Sequence, residues 1–199
     1  MQKTSSLTET SQLGHSIAVE ISTPLLTSLV PAYSFEHNPL VTIRRIISGG
    51  QTGADRAALD AALELGVPIG GWVPKGRKAE DGPIPDRYPG LRETDTDVYE
   101  TRTRWNVRDS DATLILSHGA LAGGSKVTES FAREMGKPVF HVDLSTMSMD
   151  DAVVAIGEWH RDIEGETLNV AGPRASGDAA IYEAVKAILI GLLDRRPNR

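Results

Sequence analysis

Beyond about residue 40, short apolar runs alternate with longer stretches in which apolar residues recur three and four positions apart. Short runs rich in β-branched residues are typical of buried strands, and the longer spacing is typical of amphipathic helices. The pattern predicts strands at residues 41–47, 67–73, 112–117, 138–142 and 167–171. It predicts helices at residues 54–65, 99–108, 125–135, 149–163 and 177–193.

Strands that alternate with helices of ten or more residues indicate a parallel sheet covered on both faces. We therefore predict a Rossmann-like three-layer α/β sandwich, with a mostly parallel central sheet and right-handed crossovers. Residues 1–39 differ, because they are rich in Ser and Thr, carry three prolines and lack a sustained period. We expect a loosely ordered extension there, with room for a short strand at residues 17–21, and one domain at residues 40–199.

The composition excludes several kinds of partner and chemistry. A net charge of −6 argues against nucleic acid, since proteins that bind it usually carry a basic surface. The absence of cysteine excludes disulfides, thiolate metal sites and a cysteine nucleophile. No apolar run reaches the roughly 18 residues that a membrane span needs, and the start of the chain does not resemble a signal peptide. We expect a cytoplasmic protein without a membrane or nucleic-acid partner.

The loop after the first predicted strand has the composition of an anion-binding turn. It consists of Gly49, Gly50, Gln51, Thr52 and Gly53, and Asp55 follows in the first turn of a helix. Glycines allow close backbone approach, and a helix N-terminus offers unpaired N–H groups and partial positive charge. The motif is neither a P-loop nor the G-x-G-x-x-G fingerprint. The alternative is a tight turn in which Thr52 is the N-cap and Asp55 its capping-box partner.

Two further loops follow predicted strands and have similar chemistry. One runs from His118 to Gly123, Gly124 and Ser125, and Thr128 lies three residues further on, so that both hydroxyls can face an anion. The other contains Arg174, whose planar guanidinium suits an oxyanion. The alternatives are an N-cap at Ser125 and a solvated arginine at position 174. Because ligands of parallel sheets lie at the carboxyl ends of the strands, we predict that these loops form one site.

A long polar segment, residues 74–100, separates the second predicted strand from the next helix. Three cations, Lys75, Arg77 and Lys78, follow that strand and form either a lid over an anionic ligand or a solvated surface. The next helix carries a polar stripe that suits either the site or solvent: Tyr99, Arg102, Asn106 and Asp109. The five histidines show no metal-ligand spacing, and no nucleophile or general base stands out. We therefore expect a binding protein rather than an enzyme.

Several blocks, in order, resemble the molybdenum-cofactor carrier family. They are residues 46–60 (IISGGQTGADRAALD), 70–82 (GGWVPKGRKAEDG), 91–94, 99–107, 109–113, 123–128 and 172–174. The resemblance covers about residues 43–192 and leaves out residues 1–39. That family is identified as a circularly permuted relative of the wider nucleotide-binding, Rossmann-like SLOG group. The group includes nucleotide-ligand sensors and the lysine-decarboxylase-like phosphoribohydrolases that activate cytokinins.

The resemblance implies a protein that holds the molybdenum cofactor, or a molybdate-like oxyanion, for storage or delivery. It implies a homodimer or homotetramer, with molybdenum-enzyme apoproteins as possible recipients. The cofactor is a phosphorylated pterin whose own sulfurs hold the metal, so no cysteine is required. The expected binding residues are Gly49, Gly50, Gln51, Thr52, Gly53, Asp55, Lys75, Arg77, Gly123, Gly124, Ser125, Thr128 and Arg174.

The alternative implied by the wider group is a nucleotide-derived ligand sensor or a phosphoribohydrolase-like enzyme. Those hydrolases carry the motif Pro-Gly-Gly-x-Gly-Thr-x-x-Glu. Residues 122–129 here read AGGSKVTE, without the proline and the third glycine and with Glu129 out of register. This departure argues against hydrolase activity.

Overall fold

A computed structural model describes residues 43–194 of the chain. The predicted extension at residues 1–39, with its short strand, lies outside the described residues. The strands are β1 (Arg45–Ile47), β2 (Ile69–Val73), β3 (Lys78–Ala79), β4 (Gly82–Pro83), β5 (Leu91–Glu93), β6 (Ala112–Ser117), β7 (Val139–Asp143) and β8 (Thr167–Ala171). The helices are α1 (Ala54–Glu64), α2 (Tyr99–Arg108), α3 (Gly123–Glu134), α4 (Met149–Arg161) and α5 (Ile181–Leu193).

Six strands form one parallel sheet in the order β5-β2-β1-β8-β6-β7. The strands β2, β1, β8 and β6 lie in its interior, and all six residues of β6 are buried. Strands that are buried on both faces have nearly continuous apolar sequences. The hydrophobic pattern therefore predicts the bounds of β6 and β8 correctly. The predicted Rossmann-like α/β fold is confirmed.

The helices divide between the two faces of the sheet. In the strand order given, the connections that contain α1 and α4 run toward β5, and those that contain α2 and α3 run toward β7. Because crossovers are right-handed, α1 and α4 lie on one face of the sheet and α2 and α3 on the other. Consistent with this, α5 packs against both α1 and α4, whereas α2 packs against α3. The small residues of α1 let it approach the sheet and α5 closely: Ala54, Ala57, Ala58, Ala61 and Ala62 are fully buried. The core therefore lies in two layers, one on each side of the sheet.

The loops that leave the carboxyl ends of β1 and β8 turn toward one face, and the loop that leaves β6 turns toward the other. At such a topological switch point the loops separate and leave a crevice outside the sheet, which is where ligands of α/β proteins bind. The crevice lies between β8 and β6. Both strands are in the middle of the sheet, so loops from both halves of the domain can reach it.

The segment at residues 74–98 contains more structure than the sequence predicted. It forms a short 3₁₀ turn (Lys75–Arg77), the two-stranded ribbon β3–β4 and the edge strand β5, which pairs with β2. Ile84 and Tyr88 are buried and anchor the segment in the core. The remaining differences are shifts of element ends. The largest, four residues each, are the start of β1 at Arg45 instead of residue 41 and the start of α5 at Ile181 instead of residue 177. Between Ile43 and Asp194, no helix has the length and apolar character to cross a membrane.

Candidate functional site

A cavity of about 940 Å³ occupies the crevice at the carboxyl ends of β1, β6 and β8. Its wall combines four parts of the chain: the β1–α1 loop, the N-terminal half of α2, the loop from β6 into α3 and the loop between β8 and α5. The predicted site residues that line it are Gln51, Asp55, Gly123, Gly124, Ser125, Thr128 and Arg174. The structure thus brings together all three loops singled out in the sequence.

The glycines of the β1–α1 loop do not line the cavity. A Cβ on Gly53, which has a φ of 76°, would lie 2.5 Å from the Pro173 carbonyl oxygen. A Cβ on Gly50, with a φ of 69°, would lie 3.0 Å from Ile84 Cδ1 and 3.3 Å from Val73 Cγ1. These glycines therefore allow the loop to pack against its neighbours, and they shape the site indirectly.

Gly49 makes room for an arginine. A Cβ at this position would lie 1.5 Å from Arg102 Nη1, so the guanidinium rests directly against the glycine backbone. Arg102 Nη1 donates to Asp55 Oδ2 at 3.2 Å, and both side chains are largely buried, with 14% and 5% of their surfaces exposed. The sequence placed Arg102 only in a polar stripe of uncertain direction. The structure makes it part of the cavity wall, next to Asp55.

Asp55 also organises its own loop, because its Oδ2 accepts from the backbone N–H of Gln51 at 3.2 Å. Burial raises the pKa of the Asp55 carboxyl, and the Arg102 guanidinium and the Gln51 amide act in the opposite direction. The alternative in which Thr52 caps the helix is not what the structure shows. The N-cap of α1 is Gly53, and no side chain caps it.

Gln51 is held in one orientation by its carbonyl oxygen. Oε1 accepts from the backbone N–H of Thr52 at 3.1 Å and from that of Glu80 at 2.9 Å, which leaves Nε2 as the free end of the amide. Gln51 is only 4% exposed, and its Nε2 has no hydrogen-bond partner among residues 43–194. The same is true of Arg102 Nε. A buried donor without a partner costs about 1–3 kcal/mol, so two of them in one wall need an explanation.

The N-terminus of α3 forms a second group of donors. Ala122 is the N-cap and provides no side-chain cap, and the first backbone bond into the helix comes from Lys126 N to the Ala122 carbonyl. The backbone N–H groups before Lys126, including those of Gly124 and Ser125, therefore have no hydrogen-bond acceptor within the helix. The alternative of Ser125 as N-cap is wrong, since Ser125 lies inside the first turn. The Thr128 hydroxyl donates to the Gly124 carbonyl at 2.9 Å.

Arg174 and Tyr99 lie together in the cavity wall. The Arg174 guanidinium carbon is 4.7 Å from the centre of the Tyr99 ring, a cation–π contact between the β8–α5 loop and the start of α2. Arg174 itself is exposed, so its donors remain accessible from the cavity. This pair gives the site both a cationic fork and an aromatic face.

Two histidines in or beside the same wall are each hydrogen-bonded to another side chain. His118 Nδ1 is 2.7 Å from Asp178 Oδ2, and both residues line the cavity. The Ser117 hydroxyl lies 2.8 Å from His141 Nε2 and donates its proton to the Gly119 carbonyl. The sequence identified His118 only by its loop, and the Asp178 and Ser117 pairings were missed because they join separate strands and loops. The described residues contain no cluster of three or more metal-ligating side chains.

None of the predicted lid residues lines the cavity. Arg77 donates to the backbone carbonyls of Ile84 and Pro85, and Lys78 pairs with Asp97. Lys75 is exposed.

The acidic residues of the same segment make the connections to the site. Glu80 accepts from the Thr52 hydroxyl and, at 2.5 Å, from the Ser176 hydroxyl. These hydrogen bonds lower the pKa of the Glu80 carboxyl. Asp81 forms a two-bond ion pair with Arg56, at 2.5 and 2.7 Å, and Arg56 also donates to the Gly50 carbonyl. The segment thus fixes the glycine loop from outside.

The polar stripe of α2 divides between structure and site. Tyr99 and Arg102 line the cavity. Asn106 is buried and exchanges two hydrogen bonds with the backbone of Trp72, at 2.7 and 2.9 Å. Asp109 accepts from the Trp72 indole at 2.6 Å. The spacing alone could not separate these roles, because all four residues share one side of the helix.

Glu129 is held by cations on its own helix and does not line the cavity. Lys126 Nζ lies 2.6 Å and Arg133 Nη2 lies 2.8 Å from its carboxylate. These hydrogen bonds lower its pKa from 4.5 to about 2. A carboxylate that stays ionised and points to its own helix neighbours is unsuited to general acid catalysis.

Comparisons with known proteins match the chain to a family and to a solved structure. The model of the circularly permutated YpsA SLOG family matches residues 46–193. A crystal structure from Syntrophus aciditrophicus SB, named "Putative molybdenum carrier protein", is 51% identical, with a TM-score of 0.76. The match covers 78% of this chain and 98% of that chain. No curated protein matches the sequence. The matched region contains every residue of the cavity wall.

Proposed function

The chain belongs to the circularly permutated YpsA SLOG family, and we propose on that basis that it binds the molybdenum cofactor or a molybdate-like oxyanion for storage or delivery. The name of the 51% identical structure supports the choice of ligand. The observation that carries the proposal is the cavity at the switch point of the sheet. Its wall combines the N-terminus of α3 with Arg102 and Arg174 from two other parts of the chain. Such convergence of cations and N–H donors suits an anionic ligand.

The size of the cavity favours the whole cofactor over a bare oxyanion. A volume of about 940 Å³ lies at the upper end of the roughly 300–1,000 Å³ typical of small-molecule sites. A tetrahedral oxyanion would contact only one part of such a wall. A phosphorylated pterin can place its phosphate at the N-terminus of α3 and its ring system near Tyr99. The ring also needs the apolar part of the wall, which includes Ala122, Val127 and Ala171.

Equilibrium dialysis of the full chain against the molybdenum cofactor, molybdate and tungstate, with metal analysis, tests the proposal. We expect saturable binding at one site per chain, and weaker binding by Arg174→Ala, which removes a cationic fork from the wall. Arg161→Ala, at an exposed position at the end of α4, is the matched control and should bind as the natural chain does. Absence of saturable binding of all three ligands would contradict the proposal.

A nucleotide-derived ligand is the second candidate, and the SLOG relationship of the family favours it. The same cavity has the donors for a nucleotide phosphate and an aromatic ring for a base. Thermal-shift measurements with nucleotides and dinucleotides test this candidate, and no response to any of them would exclude it. The environment of Glu129 argues against its phosphoribohydrolase form, so we expect no release of free base from nucleoside monophosphates.

We further propose that the protein is a homo-oligomer, a dimer or a tetramer, as the family resemblance implies. Size-exclusion chromatography with light scattering measures the mass directly. A mass of 21.4 kDa at micromolar concentration, that of a single chain, would reject this part of the proposal.

A further inference from the structure

Resting on the proposed function, we infer that the part of the cavity wall formed by Gln51, Arg102 and Asp55 recognises a heterocyclic lactam edge. This edge, a ring carbonyl next to a ring N–H and an amino group, is shared by pterins and guanine. The N-terminus of α3, with Arg174, then holds the phosphate of the same ligand. The two groups of wall residues thus recognise different parts of one molecule.

The two unpartnered donors support this assignment. Gln51 Nε2 and Arg102 Nε are buried polar groups on side chains that line the cavity, and neither has a partner in the part of the chain that the structure describes. The amide cannot turn over to present an acceptor instead, because its Oε1 already accepts from two backbone N–H groups. A ring carbonyl oxygen has two lone pairs and is a suitable acceptor for donors of this kind.

The charge balance in this part of the wall favours a neutral edge over an oxyanion. Arg102 carries one positive charge, and the Asp55 carboxylate is 3.2 Å away, so the pair adds no net charge. An oxyanion bound here would gain from Arg102 but would be repelled by Asp55. A lactam edge avoids that conflict, because its N–H and amino groups donate while its carbonyl accepts.

The part of the wall formed by the N-terminus of α3 and Arg174 has a different character. The N-terminus of α3 has no side-chain cap, and no acidic residue occurs in its first turn. Arg174 stacks on Tyr99 and presents its guanidinium donors on the same wall. This part suits a phosphate, since helix N-termini and arginine both favour multiply charged oxygens. Tyr99 is in the same wall, and its ring holds the Arg174 guanidinium there.

Calorimetric titration of the full chain with GMP, AMP and neopterin monophosphate tests the inference. GMP and AMP share ribose and phosphate, but AMP presents an acceptor nitrogen and an amino donor where GMP presents a donor N–H and an acceptor carbonyl. We expect GMP and neopterin monophosphate to bind at least about tenfold more tightly than AMP, since AMP leaves buried groups unpaired. The pterin and GMP arms show which source of the shared edge the site prefers.

Variants assign the selectivity to the residues. Gln51→Glu replaces the Nε2 donor by an acceptor, and Arg102→Met removes the other donor. In either variant, the ratio of the affinity for GMP to that for AMP should fall toward one. Arg104→Met, on the same helix and paired with the exposed Glu134, is the matched control and should keep the preference. Circular dichroism confirms that each variant is folded.

The outcomes separate this inference from the proposed function. Equal affinity for GMP, AMP and neopterin monophosphate overturns the inference. So does tighter binding of molybdate alone than of either lactam ligand. Both outcomes leave the proposed binding function in place. No binding of these ligands, the molybdenum cofactor, molybdate or tungstate overturns both. A preference that survives in Gln51→Glu and Arg102→Met also overturns the assignment.

Discussion

At the scale of single residues, the role of Gly49 is to leave space. The Arg102 guanidinium occupies the position of the missing Cβ and reaches Asp55 from there. The glycine-rich loop therefore serves the site less by touching a ligand than by letting an arginine from α2 lie against its backbone. This explains a glycine that a plain strand-to-helix turn does not require.

We predict that Gly49→Ala displaces Arg102 from Asp55 and lowers the free energy of unfolding by about 3 kcal/mol, because the buried carboxylate loses its partner. The end of a long side chain can move, so the fold should persist while ligand binding weakens. Gly124→Ala is the control: a Cβ there meets no atom within 4 Å, and its stability should change by no more than about 0.5 kcal/mol. Urea denaturation of both variants measures the difference, and equal stabilities would contradict the prediction.

Local sequence chemistry placed some site residues correctly and could not place others. Gln51 and Asp55 follow a predicted strand directly, so the topology of parallel sheets alone brings them to the site edge. Arg102 could be predicted only as a polar residue on a helix, since its partner Asp55 lies 47 positions earlier in the chain. The direction of a helix face toward a site is a property of tertiary packing. Arg77, in contrast, is expected at the site from its charge and from the family resemblance. Its guanidinium instead binds two carbonyls of its own segment.

At the scale of elements, burial decides what the sequence can predict. The interior strands β6 and β8 have the bounds that the apolar pattern predicts, because both of their faces are covered. The edge strand β5, Leu91–Glu93, has no buried residue, and its composition is that of a polar loop. Its strand conformation comes from pairing with β2, which sequence periodicity does not report.

The helix α3 provides a prediction about pH. Lys126 and Arg133 lower the pKa of Glu129 from 4.5 to about 2, so the ionised form stabilises the folded state above pH 4.5. This contribution decreases as the pH falls from about 4.5 toward 2. Two ion pairs along one helix contribute about 1 kcal/mol together, so Glu129→Gln should lower the free energy of unfolding by about that amount at pH 7.

Chemical denaturation at a series of pH values between 7 and 3 follows this difference. The gap between Glu129→Gln and the natural chain should narrow below about pH 4.5. Glu158→Gln, at an exposed position of α4, controls for the loss of a negative charge from the surface and should show no such narrowing. A gap that stays constant over the whole series would show that the ion pairs do not contribute.

At the scale of the whole molecule, the site exists only in the folded chain. Its wall joins residues from Gln51 to Asp178, and its donors come from three loops and a helix that are far apart in sequence. The chain carries a net charge of −6, so its attraction for an anion is local and comes from Arg174 and the N-terminus of α3. An unfolded chain lacks this arrangement and should not bind. Ligand binding must therefore stabilise the fold.

This linkage gives a quantitative prediction for a pterin ligand. At a concentration 100 times its Kd, neopterin monophosphate should add about 2.7 kcal/mol of stability, which corresponds to a rise in Tm of about 5–10 °C for a domain of this size. If Arg102→Met weakens binding tenfold, the same concentration should stabilise that variant by only about 1.4 kcal/mol, or half as much. Differential scanning fluorimetry at several ligand concentrations measures both shifts. An unchanged Tm in the natural chain would contradict pterin binding. Equal rises in Tm in the natural chain and in Arg102→Met would show that Arg102 does not contribute to binding.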